Sequence, residues 1–153
     1  MTRILTILAL CLSLNLLTGL AGLPAHAAGA PLGQQVSEQD AREAQKVVRA
    51  QLDAFAADYA EKAFSLATAA IRQMFGTSTQ FIGMVRGSYP AVYRPAAVLF
   101  LKPEGAGGEL VQPVHLTDQT GATWLALYRL QRQDDKSWRI GGCVLVPRAG
   151  KTA

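Results

Sequence analysis

One histidine, three tyrosines and one arginine could together form a small-molecule site in the second half of the chain. His115 lies within a run of strand-forming residues, where an imidazole could take up a proton near neutral pH. Tyr89, Tyr93 and Tyr128 could donate hydrogen bonds, and Arg94 could bind an anion. These five residues are the predicted ligand-binding set, and His115 is the candidate catalytic base.

The same residues also have a structural interpretation. A single histidine in a strand is more often a hydrogen-bonded structural residue than a catalytic one. Aromatic residues beside prolines, as in Tyr89-Pro90, commonly fix a helix-to-strand connection to a sheet, and an arginine such as Arg94 can pair with an acid. Both interpretations stay open at this point.

The acidic residues are poorly placed for catalysis. An isomerase or dehydratase needs a base and a group that stabilises developing negative charge inside an apolar cavity. Motifs for acyl transfer, phosphate binding and zinc-dependent hydrolysis are absent from the sequence. The carboxylates of the strand-rich half lie at strand ends or in turns: Glu104, Glu109, Asp118, Asp134 and Asp135. The sequence therefore favours non-catalytic binding without a cofactor.

Residues 1–27 are typical of a secretory signal peptide. Arg3 gives a basic start, an apolar run follows from Ile4 to Leu23, and Ala25-His26-Ala27 supplies a cleavage pattern. An uncleaved anchor is the alternative, because the run approaches the ~20 residues that span a bilayer. Polar residues and glycines dilute the run, so we expect cleavage, a periplasmic or secreted protein, and no stable membrane anchor.

After removal of the signal peptide, few side chains remain that could bind a metal ion or form a disulfide. Cys11 and His26 leave with it, and the mature chain keeps Cys143 and His115. A metal site usually needs about three or four such ligands, so no metal site and no internal disulfide are expected. Cys143 lies among apolar residues, which favours a buried, inert thiol, although an exposed cysteine could bridge two chains.

Length and charge restrict the number of domains and the kinds of binding partner that are expected. The 153 residues fit one domain, with a flexible leader predicted at 28–36, the domain at 37–147 and a disordered tail at 148–153. The formal net charge of +4 falls by one when the signal peptide is removed. The remaining charges are scattered singly, so nucleic acid is not an expected partner.

The domain is predicted to begin with three helices. Ser37 and Asp40 have the spacing of a capping box, and apolar residues then recur every three or four positions. A second helix is predicted over 59–75 and ends at a glycine. A third, over 77–87, repeats the capping-box spacing.

Four predicted strands follow, and their short connections favour an antiparallel meander. Pro113 predicts that the second strand is an edge strand or carries a bulge. The last two strands are apolar on both faces, which indicates a sheet covered on both sides. Helices could cover one face, and either a second subunit in a homodimer or the leader could cover the other. The predicted strands are 96–102, 109–118, 123–132 and 138–146.

Several segments resemble a known family. The element Tyr89-Pro90-Ala91-Val92-Tyr93-Arg94-Pro95, the run Trp124 to Tyr128 and the ending Trp138-Arg139-Ile140 are similar to a bacterial family of domains of unknown function, numbered 4864. The resemblance extends over about Val47 to Val146. It implies the nuclear transport factor 2-like superfamily, an α+β cone fold in which N-terminal helices pack on a curved four-stranded antiparallel sheet, and it implies no activity.

We therefore expect an exported domain that binds a small apolar ligand or a protein partner without catalysis. The first alternative is a lyase or isomerase with a pocket around His115, and the second is a purely structural assembly module. From the sequence, either face of the sheet could line the pocket.

Overall fold

The computed structural model describes residues 36–148, which form five helices and five strands of an α+β fold. The predicted signal peptide, leader residues 28–35 and tail residues 149–153 lie outside the described residues. No helix within 36–148 is both long and apolar enough to cross a membrane. The helices are α1 (Glu38–Ala56), α2 (Ala60–Ser65), α3 (Ala69–Phe75), α4 (Ser78–Ser88) and α5 (Pro90–Tyr93). The strands are β1 (Ala97–Phe100), β2 (Glu104–Ala106), β3 (Glu109–Thr117), β4 (Thr123–Arg132) and β5 (Trp138–Arg148).

Helix α1 begins where the capping pattern predicts. The hydroxyl of Ser37 accepts a hydrogen bond from the backbone N–H of Asp40 at 3.1 Å, which satisfies one of the free donors of the first turn. Val48, Leu52 and Phe55 are fully buried and lie three or four residues apart. The predicted amphipathic helix is therefore confirmed, with its apolar face on the core.

Asp40 also ties α1 to the end of the sheet. Its carboxylate accepts a hydrogen bond from the indole of Trp138 at 3.2 Å and lies 3.4 Å from the guanidinium of Arg132. Trp138 is buried and packs with the core, while Arg132 lies over its ring. One carboxylate therefore accepts a hydrogen bond from the capping Ser37 hydroxyl and fixes the position of α1 against β4 and β5.

The prediction of one helix over 59–75 is wrong in its middle. The helix ends at Ser65, and the backbone of Leu66, Ala67 and Thr68 pairs with Ile140 of β5. Thr68 donates to the Ile140 carbonyl and Ile140 donates to the Leu66 carbonyl, each at 2.9 Å. The hydroxyl of Thr68 then caps a new helix, α3. Pairing with a distant strand therefore splits the predicted helix into α2 and α3.

The sheet is an antiparallel meander in the order β1-β3-β4-β5, with β2 also paired to β3. The α+β prediction is confirmed, and the strand count differs because β2 occupies part of a segment predicted as a glycine-rich turn. Gly107 and Gly108 form a two-residue hairpin loop with φ of 64° and 88°. These values suit glycine, and they allow the short strand to fold back on β3.

The position predicted for Pro113 is also corrected. Strand β3 is flanked on both sides, and its pairing to β4 runs without a register shift through Pro113. Pro113 instead lies just beyond the last paired residues of β1. Its carbonyl accepts a hydrogen bond from the Leu101 N–H at 3.0 Å, and the side chain of Gln112 donates to the Leu101 carbonyl at 2.7 Å in place of the N–H that proline lacks. The bulge occurs in β5, where Gly141 is the extra residue between Ile140 and Gly142.

The helices cover one face of the sheet. Alternate residues of the central strands, among them Val114, Tyr128 and Leu130, are buried beneath them in one continuous core. The opposite face carries Leu99 and Val144 with 61% and 57% of their surface exposed. Only the helix-covered face is therefore enclosed within residues 36–148.

The β3–β4 turn is organised by one carboxylate. Asp118 accepts hydrogen bonds from the hydroxyl of Thr120 at 2.6 Å, the indole of Trp124 at 2.9 Å and two backbone N–H groups. These donors stabilise the ionised form and lower the pKa of Asp118 to about 2, with the Thr120 hydroxyl as the largest cause. Asp118 is therefore a structural residue of this turn.

Candidate functional site

A cavity of about 210 Å³ lies between the helices and the covered face of the sheet. Every described side chain that lines it is apolar, aromatic or uncharged. Phe81 of α4 is central to its wall. The centroid of its ring lies 5.8 Å, 5.5 Å and 5.4 Å from the ring centroids of Phe55, Phe64 and Phe75, respectively. The lining residues are Gln51, Phe55, Ala67, Ile71, Phe75, Phe81, Met84, Val85, Tyr89, Val92, Tyr128, Ile140, Gly142 and Cys143.

Tyr128 is the most unusual lining residue. It is completely buried, and its hydroxyl meets no hydrogen-bond partner of standard geometry within 36–148. Most buried polar groups are hydrogen-bonded, because an unpaired one loses its interaction with water. Burial raises the pKa of Tyr128 well above its usual value of 10, and the neighbouring Cys143 raises it further. The phenol therefore keeps its proton, and beyond the weak Cys143 thiol beside it the hydroxyl has unused hydrogen-bonding capacity.

Cys143 is half-buried in the same cavity wall. Desolvation raises the pKa of its thiol to about 12, and the nearby hydroxyl of Tyr128 opposes only part of that rise. A thiol that stays protonated at neutral pH is a poor nucleophile. Cys143 is therefore a soft, nearly apolar wall for a bound molecule.

The mouth of the cavity is formed by half-buried residues of the helical layer. These residues are Ile71 and Phe75 of α3, Met84 of α4 and Tyr89 before α5. No residue of α3 is fully buried, and Gly76 ends the helix with a φ of 72°. The predicted residue Tyr89 is thus at the mouth, while Tyr128 is at the floor.

Tyr93 and Arg94 have a different place in the structure. The hydroxyl of Tyr93 accepts a hydrogen bond from Arg86 at 2.9 Å, and both Arg86 and Arg94 lie over its ring. The carboxylate of Asp58 accepts hydrogen bonds from Arg86 at 3.1 Å and from Arg94 at 2.6 Å. This cluster fixes α5 against the α1–α2 connection, and neither predicted residue lines the cavity.

His115 lies on the opposite, open face of the sheet. It is paired with Leu99 of β1 and Leu125 of β4, whereas the neighbouring residues Val114 and Leu116 are buried under the helices. The guanidinium of Arg148 contacts its Nε2 atom. The structure therefore brings Tyr89 and Tyr128 together and places His115, Tyr93 and Arg94 elsewhere.

Sequence reasoning did not identify the helical side of the cavity. Gln51 lies on the apolar face of α1 and is almost completely buried, with its side chain donating to the Ala63 carbonyl at 3.0 Å. A glutamine between apolar helix positions is a signal that the sequence contains and that could have predicted this wall. Gly142 was also missed, because its place at the cavity depends on the neighbouring bulge in β5.

Comparison with known proteins places the chain in a family. No curated protein and no solved structure matches the sequence significantly. One family model, described as a domain of unknown function (DUF4864), matches residues 37–153. This match spans most of the chain and all the secondary-structure elements described above. The chain therefore belongs to the DUF4864 family.

Proposed function

We propose that this protein is an exported bacterial domain of the nuclear transport factor 2-like superfamily that binds a small, largely apolar molecule without converting it. The observation that carries this proposal is the unpaired hydroxyl of Tyr128 in a cavity of about 210 Å³ with uncharged walls. Apolar pockets with a few oriented polar groups are the usual form of small-molecule sites. Export is supported by the cleavage pattern that ends at Ala27.

The chemistry of the cavity supports binding over catalysis. Its titratable lining groups are Tyr89, Tyr128 and Cys143, and burial raises the pKa of both Tyr128 and Cys143. A general base for isomerisation or elimination needs a pKa near the working pH. The alternative of an enzyme around His115 has less support, because His115 lies across the sheet from this cavity.

Binding can be tested with two probes of nearly equal shape. Cyclohexanone has a hydrogen-bond acceptor, and methylenecyclohexane has a CH₂ group in its place. Tyr128→Phe keeps the aromatic ring and removes the hydroxyl. We therefore expect about 2- to 10-fold weaker binding of cyclohexanone, which corresponds to the net free energy of one hydrogen bond. Binding of methylenecyclohexane should change little. Affinities measured by NMR titration of the cavity methyl groups would give both values.

The controls follow from the structure. Tyr93→Phe makes the same chemical change outside the cavity and should leave both affinities unchanged. Native mass spectrometry of protein purified from its own cells would show a bound molecule directly. If neither probe perturbs the cavity residues and the protein carries no extra mass, the binding proposal is wrong.

A second proposal concerns assembly, and it rests on the open face of the sheet. Leu99, Val144 and Val146 are exposed there beside half-buried Leu125 and Leu127. Exposed apolar patches of this kind commonly mark interaction sites. We propose that a second copy of the chain covers this face, which is self-complementary in its apolar character and would form an isologous homodimer.

Sedimentation equilibrium tests this assembly. Val144→Asp places a charge on the open face and should convert a dimer to a monomer. Met74→Asp is the matched control, since Met74 is 73% exposed on α3 and lies away from the sheet. A wild-type protein that sediments as a monomer at high micromolar concentration would exclude the homodimer.

A further inference from the structure

A second depression adjoins the cavity at Tyr89. It has a volume of about 380 Å³, and its walls include Pro90, Trp124, Val144 and Leu145. Tyr89 lines both the cavity and this groove. The cavity and the groove therefore meet at one half-buried aromatic side chain.

Strand β5 connects the same two spaces. Cys143 lines the cavity and Leu145 lines the groove, and the two side chains lie on the same face of β5 two residues apart. Successive residues of a strand rise by about 3.3 Å, so the two spaces are separated by only about 7 Å along the strand. A molecule of modest length can therefore contact both.

The lining of the two spaces contains no charged side chain among residues 36–148. The basic residues nearest in sequence to Tyr89 are Arg86 and Arg94, and both are paired with Asp58 outside these spaces. A carboxylate or phosphate placed beside Tyr128 would lose its hydration without gaining a cation. The lining therefore favours an uncharged molecule.

We propose that the ligand is an uncharged molecule with one hydrogen-bonding group and an unbranched apolar chain, such as a medium-chain ketone or alcohol. Its polar group lies at the Tyr128 hydroxyl, and its chain passes Tyr89 into the groove beside Leu145. This inference rests on the proposed binding function and deepens it by defining the ligand class. It also explains why an apolar groove opens beside an apolar cavity.

A homologous series of methyl ketones tests the proposal. Affinity should rise by about two- to four-fold per methylene from 2-pentanone through 2-decanone, because each added methylene is removed from water in the cavity or the groove. Leu145→Ala shortens the groove wall and should reduce this rise only for the longer ketones. Met74→Ala is the control, since Met74 is exposed on α3 and lines neither space.

The outcomes separate this inference from the binding proposal. If affinity stops rising after the shortest ketones and Leu145→Ala has no effect, the chain-binding inference is wrong, while Tyr128-dependent binding of cyclohexanone still supports the cavity. If decanoate binds as tightly as 2-decanone, the requirement for an uncharged ligand is wrong. If Leu145→Ala does not fold, Leu145→Val makes a smaller change in the same groove wall and should reduce the rise for the longer ketones to a smaller extent.

Discussion

Replacing Tyr128 with phenylalanine is expected to stabilise the ligand-free protein. A tyrosine hydroxyl usually contributes to stability through its hydrogen bond, but the Tyr128 hydroxyl is buried and has no partner within 36–148. A buried group left without a partner costs about 1–3 kcal/mol in lost hydration. The thiol of Cys143 is a weak neighbour that offsets a small part of this cost. We therefore expect Tyr128→Phe to raise the free energy of unfolding by about 1–2 kcal/mol.

Urea unfolding followed by tryptophan fluorescence measures this change. With an m-value of about 2 kcal/mol/M for a domain of this size, the midpoint should rise by about 0.5–1 M. Tyr93→Phe is the matched control, because its hydroxyl accepts a hydrogen bond from Arg86 at 2.9 Å. Losing that bond should lower stability by about 0.5–1.5 kcal/mol, since Arg86 is largely exposed and can rebind water. The same chemical change should thus have opposite signs at the two positions.

One result would refute this reasoning. If Tyr128→Phe lowers the free energy of unfolding as much as Tyr93→Phe does, then the Tyr128 hydroxyl has a partner in the ligand-free protein. A water held in the cavity would be such a partner, and it would need further polar groups to hold it. The wild-type preference for cyclohexanone over methylenecyclohexane would then shrink, because the ketone would have to displace that water.

Three other predictions follow from individual side chains. Because its folded pKa of about 2 lies below the unfolded value, Asp118 should contribute stability above about pH 4 that is lost as pH falls through 2. Asp118→Ala should therefore flatten the acid-unfolding curve between pH 4 and 2, and a variant curve as steep as that of the wild type would contradict this role for Asp118. The Cys143 thiol, with a pKa of about 12, should react with iodoacetamide at pH 8 at least about 100-fold more slowly when folded than in urea, as followed by mass spectrometry. Equal rates would show an exposed thiol. Asp40→Ala should lower stability by about 1–3 kcal/mol in urea unfolding, because it removes the carboxylate that joins α1 to the sheet. Glu38→Ala should have almost no effect, since its ion pair is fully solvated, and equal losses at both positions would contradict this role for Asp40.

Local signals predicted much of the fold. The capping pattern at Ser37 and the glycine at Gly76 mark helix ends that depend only on neighbouring residues. The β3–β4 and β4–β5 connections were predicted for the same reason, because a short turn between strand-forming runs leaves few alternatives to a hairpin. These features are fixed by interactions over a few residues of the chain.

The errors differ in their physical origin. The break at Leu66–Thr68 exists because Ile140, more than 70 residues away, pairs with that backbone. That contact leaves no signal in the local sequence and overrides local helix propensity. Strand β2 is a local feature that was missed, because Gly107-Gly108 is a two-residue hairpin loop that pairs Glu104–Ala106 with β3.

The candidate site was predicted in part. Alternation along a strand shows that Tyr128 shares a face with Trp124 and Ala126, but β4 is apolar on both faces, so the sequence favours neither as the inner one. The helices pack on the face that carries Tyr128, and the pairing of His115 with Leu125 places His115 on the other face. The separation of the two predicted site residues is therefore a consequence of tertiary packing.

Tyr128 is also a place where the fold departs from its most stable sequence. A phenylalanine at this position would fill the same volume beneath the helices, and within 36–148 the hydroxyl has only the weak Cys143 thiol beside it. Proteins are expected to depart from their most stable sequence where function requires it. Under the binding proposal, a ligand supplies the partner that the hydroxyl lacks in the free protein, and that gain adds directly to the affinity. The stability and binding experiments on Tyr128→Phe therefore measure the same hydroxyl in its unpaired and paired states, and the binding proposal requires the variant to gain in the first and lose in the second.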